Sequence, residues 1–171
     1  MRCLTPAEVS SWLATHELPA DPYHPPGRAP SCHLQRAIPR ESTLVGSFTR
    51  AALAEITGGQ PVLVLMTKWP HDQPDQMQDI RTIRRSCGEV RPLIEAPGHL
   101  LDPTDGEMAT ELFSLATAHE WTCWVHTPGS GDILLTWEGE LIDYWTEDPE
   151  RFARVEELAE AHGFTEPLPP A

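Results

Sequence analysis

Two groups of residues have the types and spacing that could do chemistry. The first is Glu95 and His99 in the stretch EAPGH, and the second is a set of tryptophans and carboxylates between Trp124 and Asp148. A carboxylate four residues from a histidine, with Pro97-Gly98 between them, can fold back near the imidazole, and a Glu-His pair can exchange a proton with a reacting group. Catalysis also needs a nucleophile, a metal or a site for developing charge, and none is evident in the neighbouring sequence. Proline followed by glycine is equally the usual composition of a type II turn. The spacing therefore predicts a short strand over VRPLIEA, a turn at Pro97-Gly98 and a capped helix start beyond it. Glu95 and His99 are kept as the catalytic candidates of an alternative reading.

The second group is denser. Trp121, Trp124, Trp137 and Trp145 lie on three short apolar runs, WTCWVHT, DILLTW and ELIDYWT, separated by PGSG and by Glu138-Gly139. Such runs with turn residues between them predict an antiparallel meander. Strand neighbours point to opposite faces, so Trp121, Cys123 and Val125 share one side while Trp124 and His126 share the other, and Tyr144 and Trp145 cannot enter the same core. Trp121 and Trp137 are expected in that core; Trp124 and Trp145 fit core and rim equally. His119 reads as a partner for a helix C-terminus and His126 as a surface residue. Rings beside carboxylates suit a basic protein, because the rings supply buried area and cation-π contact while the carboxylates pair with guanidinium groups. The partner-binding candidates are Trp124, Glu138, Glu140, Asp143, Trp145 and Asp148.

Charge points the same way. Residues 1–91 hold ten basic and nine acidic residues, a net of +1, whereas residues 92–171 hold two basic and seventeen acidic residues, a net of −15. An acidic half repels nucleic acid and anionic membranes and speeds encounter with a cationic partner; it also keeps a protein soluble. Cys3, Cys32, Cys87 and Cys123 are scattered without paired spacing, so neither disulfides nor a metal site is expected; Cys32-His33 with His24 offers metal-ligand types, but adjacent residues on an extended chain point apart. There is no glycine-rich phosphate loop and no motif for a cofactor. The start MRCLTPAEVSSWL lacks the pattern of an export signal and no long apolar run follows, which predicts a cytoplasmic protein.

The elements that must position these groups follow from pattern. Thr5, Pro6 and Glu8 form a capping box for a first helix. Five prolines between Pro19 and Pro30 predict an extended arm over residues 19–33. Leu44, Phe48, Ala52 and Ile56 mark a second helix ending at Gly58-Gly59, PVLVLMTKW a central strand, and Met77, Ile80, Arg84 and Cys87 one side of a third helix with Arg81 and Arg85 on its exposed side. A fourth helix follows Asp102 or Thr104 as cap, and a fifth is capped by Asp148 before a Pro-rich tail at 165–171. One α+β domain over 1–171 is expected, with helices packed on a mainly antiparallel sheet of about five strands.

From about Arg91 to Trp145 the chain resembles a family of bacterial proteins without established activity. The resemblance rests on EAPGHL at Glu95 to Leu100, an acidic helix, Trp121 opening the next strand and an aromatic-acidic hairpin. In that family the hairpin often carries a Ser-His-Asp-Glu-type stretch, which LTWEGEL replaces here. The resemblance implies a bacterial source and a recurring module. The functional expectation is a non-enzymatic acidic module that occludes a basic protein in the manner of an immunity protein. The alternatives are a small enzyme or ligand-binding domain around Glu95 and His99, and a homodimer pairing Arg81 and Arg85 with the acidic half of a second copy.

Overall fold

The computed structural model describes residues 1–24, 30–69 and 76–168. Seven strands make one sheet: β1 (Arg2–Leu4), β2 (Cys32–Ala37), β3 (Val62–Lys68), β4 (Gly98–Leu101), β5 (Thr122–His126), β6 (Ile133–Trp137) and β7 (Leu141–Thr146). Their order is β1-β4-β3-β5-β6-β7-β2, and every neighbouring pair is antiparallel. Five helices accompany them: α1 (Pro6–Thr15), α2 (Ser42–Thr57), α3 (Gln76–Ser86), α4 (Gly106–Ala118) and α5 (Pro149–Ala161). None of the helices among the described residues is long and apolar enough to cross a membrane.

The α+β class, the central position of β3 and the β5-β6-β7 meander agree with the sequence pattern, while the sheet has two strands more than expected. β1 is only three residues long and runs straight into the capping box of α1, too short to show a period of two. β2 begins inside the stretch expected to be an arm, and its sequence CHLQRA contributes a single fully buried residue, Leu34. Residues 25–29 of that arm and 169–171 of the tail lie outside the described residues. Thr165, at the start of the tail, pairs with Ala37 at the end of β2.

The predicted strand over VRPLIEA is instead a turn, with Glu95 N–H donating to the Pro92 carbonyl and Ala96 N–H to that of Leu93. Pairing starts at Gly98. The reason lies in α3, where the buried Arg84 donates to the carbonyls of Arg91, Pro92 and Ala96, so those acceptors serve a guanidinium and not a sheet ladder. The Pro-Gly pair is the entry to β4, not a type II turn.

Register divides the side chains between two faces. On the back face Val64, Val125, Leu134, Tyr144 and Leu34 stand opposite one another across β3, β5, β6, β7 and β2. They pack with Phe48, Ile56, Leu112, Phe113 and Val155 of α2, α4 and α5 in the main core. Trp121 belongs to that core, as expected. The front face carries, in parallel rows, Leu63, His126, Ile133, Trp145, His33 and then Leu65, Trp124, Leu135, Asp143, Gln35. Tyr144 and Trp145 do point to opposite sides, but both are buried because both faces are covered at β7. The β6-β7 turn puts Glu138 at φ 50 and Gly139 at φ 70, the two positive values of a type I′ hairpin.

Helix α1, capped by the reciprocal Thr5–Glu8 bonds, lies on the front of β3 and β4, where Val9 and Leu13 meet Leu4, Leu63 and Leu65. Contact is close enough that a Cβ on Gly98 would come within 2.5 Å of Val9 Cγ2 and 3.2 Å of Leu4 Cβ. Gly98→Ala is therefore expected to destabilise the fold by about 1–3 kcal/mol through overpacking. The measurement is a urea midpoint; an unchanged midpoint would contradict this packing of α1.

Candidate functional site

The front face has one buried carboxylate. Asp143 sits on β7 with no exposed surface, and desolvation of a carboxylate is unfavourable unless hydrogen bonds replace the lost water. β2 supplies them: His33 Nε2 lies 2.7 Å from Oδ1, and Gln35 Nε2 donates to the same oxygen at 2.9 Å. Register makes this possible, since Gln35 stands directly opposite Asp143 and His33 opposite Trp145.

Aromatic rings stack outward from that point. The His33 ring lies flat on Trp145, with centroids 4.7 Å apart and planes 7° from parallel. Tyr23, from the segment before β2, meets Trp145 edge-on at 4.9 Å, His33 at 5.9 Å and Trp137 at 6.2 Å. Burial, and then the nearby Asp143 carboxylate, push the Tyr23 phenol pKa up, so the group stays protonated. Trp124 lies 6.1 Å from Trp145, and its indole N–H donates to Thr67 Oγ1 at 3.2 Å.

Between Tyr23, Trp124 and Trp137 runs a groove of about 590 Å³ floored by Leu135, with Asp21, Lys68 and Glu138 at its mouth. That volume lies in the range of small-ligand sites. Lys68 is paired with Glu138, which holds the Glu138 carboxyl below its ordinary value. Asp21 is hydrogen-bonded to His24 at 3.0 Å. The groove therefore combines three aromatic side chains with two carboxylates that are already partnered by Lys68 and His24.

The structure places the candidate residues unevenly. Trp124 and Glu138 line the groove. Trp145 and Asp143 lie beneath Tyr23 and His33, so they hold the groove's wall instead of offering a contact surface. Glu140 is exposed in the β6-β7 turn. Asp148 caps α5, accepting from the backbone N–H groups of Glu150 and Arg151. Trp137, expected in the core, is 46% exposed and forms a wall. His119 stands at the C-cap of α4, where its backbone N–H donates to the Leu115 and Thr117 carbonyls while its ring lies beside Trp121 and Asp79. Arg81 and Arg85 are both exposed on α3.

Tyr23, His33 and Gln35 are absent from the partner-binding candidates read in the sequence, as are Asp21, Lys68 and Leu135 of the groove. The alternation of His33 and Gln35 about the buried Leu34 is a period-two signal, but six residues beside a proline run make it faint. Nothing in the sequence marks Tyr23.

Glu95 and His99 are not brought together. Glu95 is exposed in the turn, while His99 is buried on the back face, its Nε2 3.0 Å from Arg84 Nη1 and its Nδ1 3.3 Å from the Val64 carbonyl. Arg84 can only donate, so His99 is neutral with its proton on Nδ1. His126, expected at the surface, is buried on the front face, and neither ring nitrogen has a hydrogen-bond partner among the described residues. Among the described residues no group of three or more His, Cys, Asp or Glu side chains is placed to hold a metal ion. The His33–Asp143 pair fixes the imidazole against Trp145. Compared with known proteins, the chain matches no family model, no curated protein and no solved structure.

Both buried histidines predict acid sensitivity. Burial, and for His99 also the Arg84 charge, lowers each from 6.5 to about 4. In the unfolded chain each takes a proton near 6.5, so between 6.5 and about 4 the unfolded state binds more protons. Stability is full above this window and falls as pH drops through it, by about 1.4 kcal/mol per pH unit for each histidine. Urea midpoints across the window should show this slope, and His126→Leu should reduce it by about one proton's worth. A slope unaltered by that substitution would contradict a neutral, buried His126.

Proposed function

We propose that the protein is an acidic protein-binding module whose front-face groove receives cationic side chains of a basic partner. What supports the reading is the groove itself: the rings of Tyr23, Trp124 and Trp137, with the Lys68–Glu138 ion pair and the Asp21–His24 hydrogen bond beside them. Of the seventeen carboxylates in residues 92–171, Glu138, Glu140, Asp143 and Glu147 lie on the β6-β7 hairpin or at its end, whereas those on α4 and α5 lie with the back-face helices. The net negative charge of the chain attracts a basic partner to the molecule, and the rings of the groove then take an arginine or lysine head out of water. Occlusion of a partner's cationic site, as an immunity protein does to a toxin domain or nuclease, is the biological form this binding takes in the proposal. The bacterial, cytoplasmic setting expected from sequence belongs to the same proposal.

An arginine-rich peptide is the probe. Titration followed by tryptophan fluorescence should saturate, and Trp124→Ala and Trp137→Ala should each weaken binding about fivefold, the equivalent of about 1 kcal/mol per lost cation-π contact. Glu107→Gln, an exposed carboxylate on α4, should change affinity little. Equal affinity in the Trp124→Ala/Trp137→Ala double variant would overturn the groove as the binding surface.

A further inference from the structure

A second pocket, on the opposite edge of the sheet, is basic. It measures about 180 Å³, lies between α3 and the segment that follows it, and is lined by Arg81, Arg84, Arg85, Arg91, Glu89 and Val90 among others. Four arginines thus meet one carboxylate, in a chain whose whole complement of Lys and Arg is 12 against 26 Asp and Glu.

Arg84 is the deepest of them. It is 2% exposed, and among the described residues no carboxylate lies within ion-pair distance of it. Its Nη1 and Nη2 donors go to the carbonyls of Ala96, Arg91 and Pro92 and to His99, all neutral acceptors. A buried guanidinium bonded to neutral groups retains its charge uncompensated, and burial accordingly pulls its pKa down. Glu89 attracts it at longer range but makes no contact with it, and both Glu89 oxygens are engaged by Arg91 at 2.5–3.1 Å. Arg81 and Arg85, one helical turn apart on α3, are exposed and make no ion pair among the described residues. Beside them Val90 is 86% exposed.

We infer that this pocket binds a phosphate monoester, its oxyanion held by Arg81 and Arg85 in the field of Arg84 and its organic group resting on Val90. Guanidinium groups match the geometry of phosphate oxygens, and several of them around one small cavity favour a dianion over a carboxylate. The volume accommodates the phosphoryl group, while the exposed valine supplies apolar surface at the mouth. The inference is independent of the front-face groove, which lies beyond β3 on the other side of the sheet.

The test uses the full chain with phenyl phosphate, inorganic phosphate and benzoate as probes, titrated calorimetrically at constant ionic strength. Phenyl phosphate should bind saturably, more tightly than inorganic phosphate, and benzoate weakest. Arg81→Gln and Arg85→Gln should each weaken phenyl phosphate at least tenfold, whereas Arg50→Gln, an exposed arginine on α2, should leave it unchanged. Because Arg81 and Arg85 are exposed, these variants are expected to fold, which the wild-type urea midpoint checks. Absence of saturable binding, or equal binding in the Arg81→Gln/Arg85→Gln double variant, would overturn the site. Benzoate binding as tightly as phenyl phosphate would overturn its assignment to phosphate, and inorganic phosphate binding as tightly would overturn the role of Val90.

Discussion

The front of the molecule depends on the solvation of one carboxylate. Asp143 is fully buried in the sheet, and its Oδ1 is held by His33 and Gln35 from the neighbouring edge strand. β2 has little else on this face to fix it, since its one fully buried side chain, Leu34, faces the back. The hydrogen bonds to Asp143 therefore set which way His33 turns, His33 lies flat on Trp145, and Tyr23 closes over both rings. The aromatic groove is built around that carboxylate, whose Oδ1 takes both hydrogen bonds while its buried Oδ2 has none among the described residues. An apolar residue at this position would leave His33 and Gln35 without their acceptor.

A buried charge organises the other edge as well. Arg84 fixes the turn between α3 and β4 by donating to three of its carbonyls, and His99 accepts from the same guanidinium. In both places a segment of weak apolar pattern is held by hydrogen bonds to an ion, and in both places the arrangement leaves a cavity of matching polarity beside it.

What the sequence made legible were the elements held by apolar periodicity and by capping chemistry. The Thr5–Glu8 box, the stripe of α2 ending in a left-handed Gly58, the apolar β3 and the β5-β6-β7 meander with its Glu138-Gly139 turn could all be read from local pattern. The elements missed are those whose stability comes from distant polar partners. β2 is specified by Asp143, over a hundred residues away, and the turn at 92–96 by a side chain of α3; neither leaves a periodic trace. The same cause misplaced the tryptophans. Parity sorted them correctly between the faces, but whether a front-face ring is covered depends on Tyr23 and α1, so Trp145 is buried and Trp137 is open. His126 shows the limit of residue type as a guide, since a histidine with two unbonded nitrogens reads as polar and yet lies in the interior.

The central claim is that cations bind between the rings of Tyr23, Trp124 and Trp137. The most direct measurement is an intermolecular nuclear Overhauser experiment with tetramethylammonium, a probe with charge and methyl protons but no hydrogen-bond donor. The account predicts cross-peaks from the methyl protons to the ring protons of all three residues, with none to the buried Trp121. Cross-peaks confined to other surfaces, or no bound signal at any probe concentration that leaves the fold intact, would contradict it.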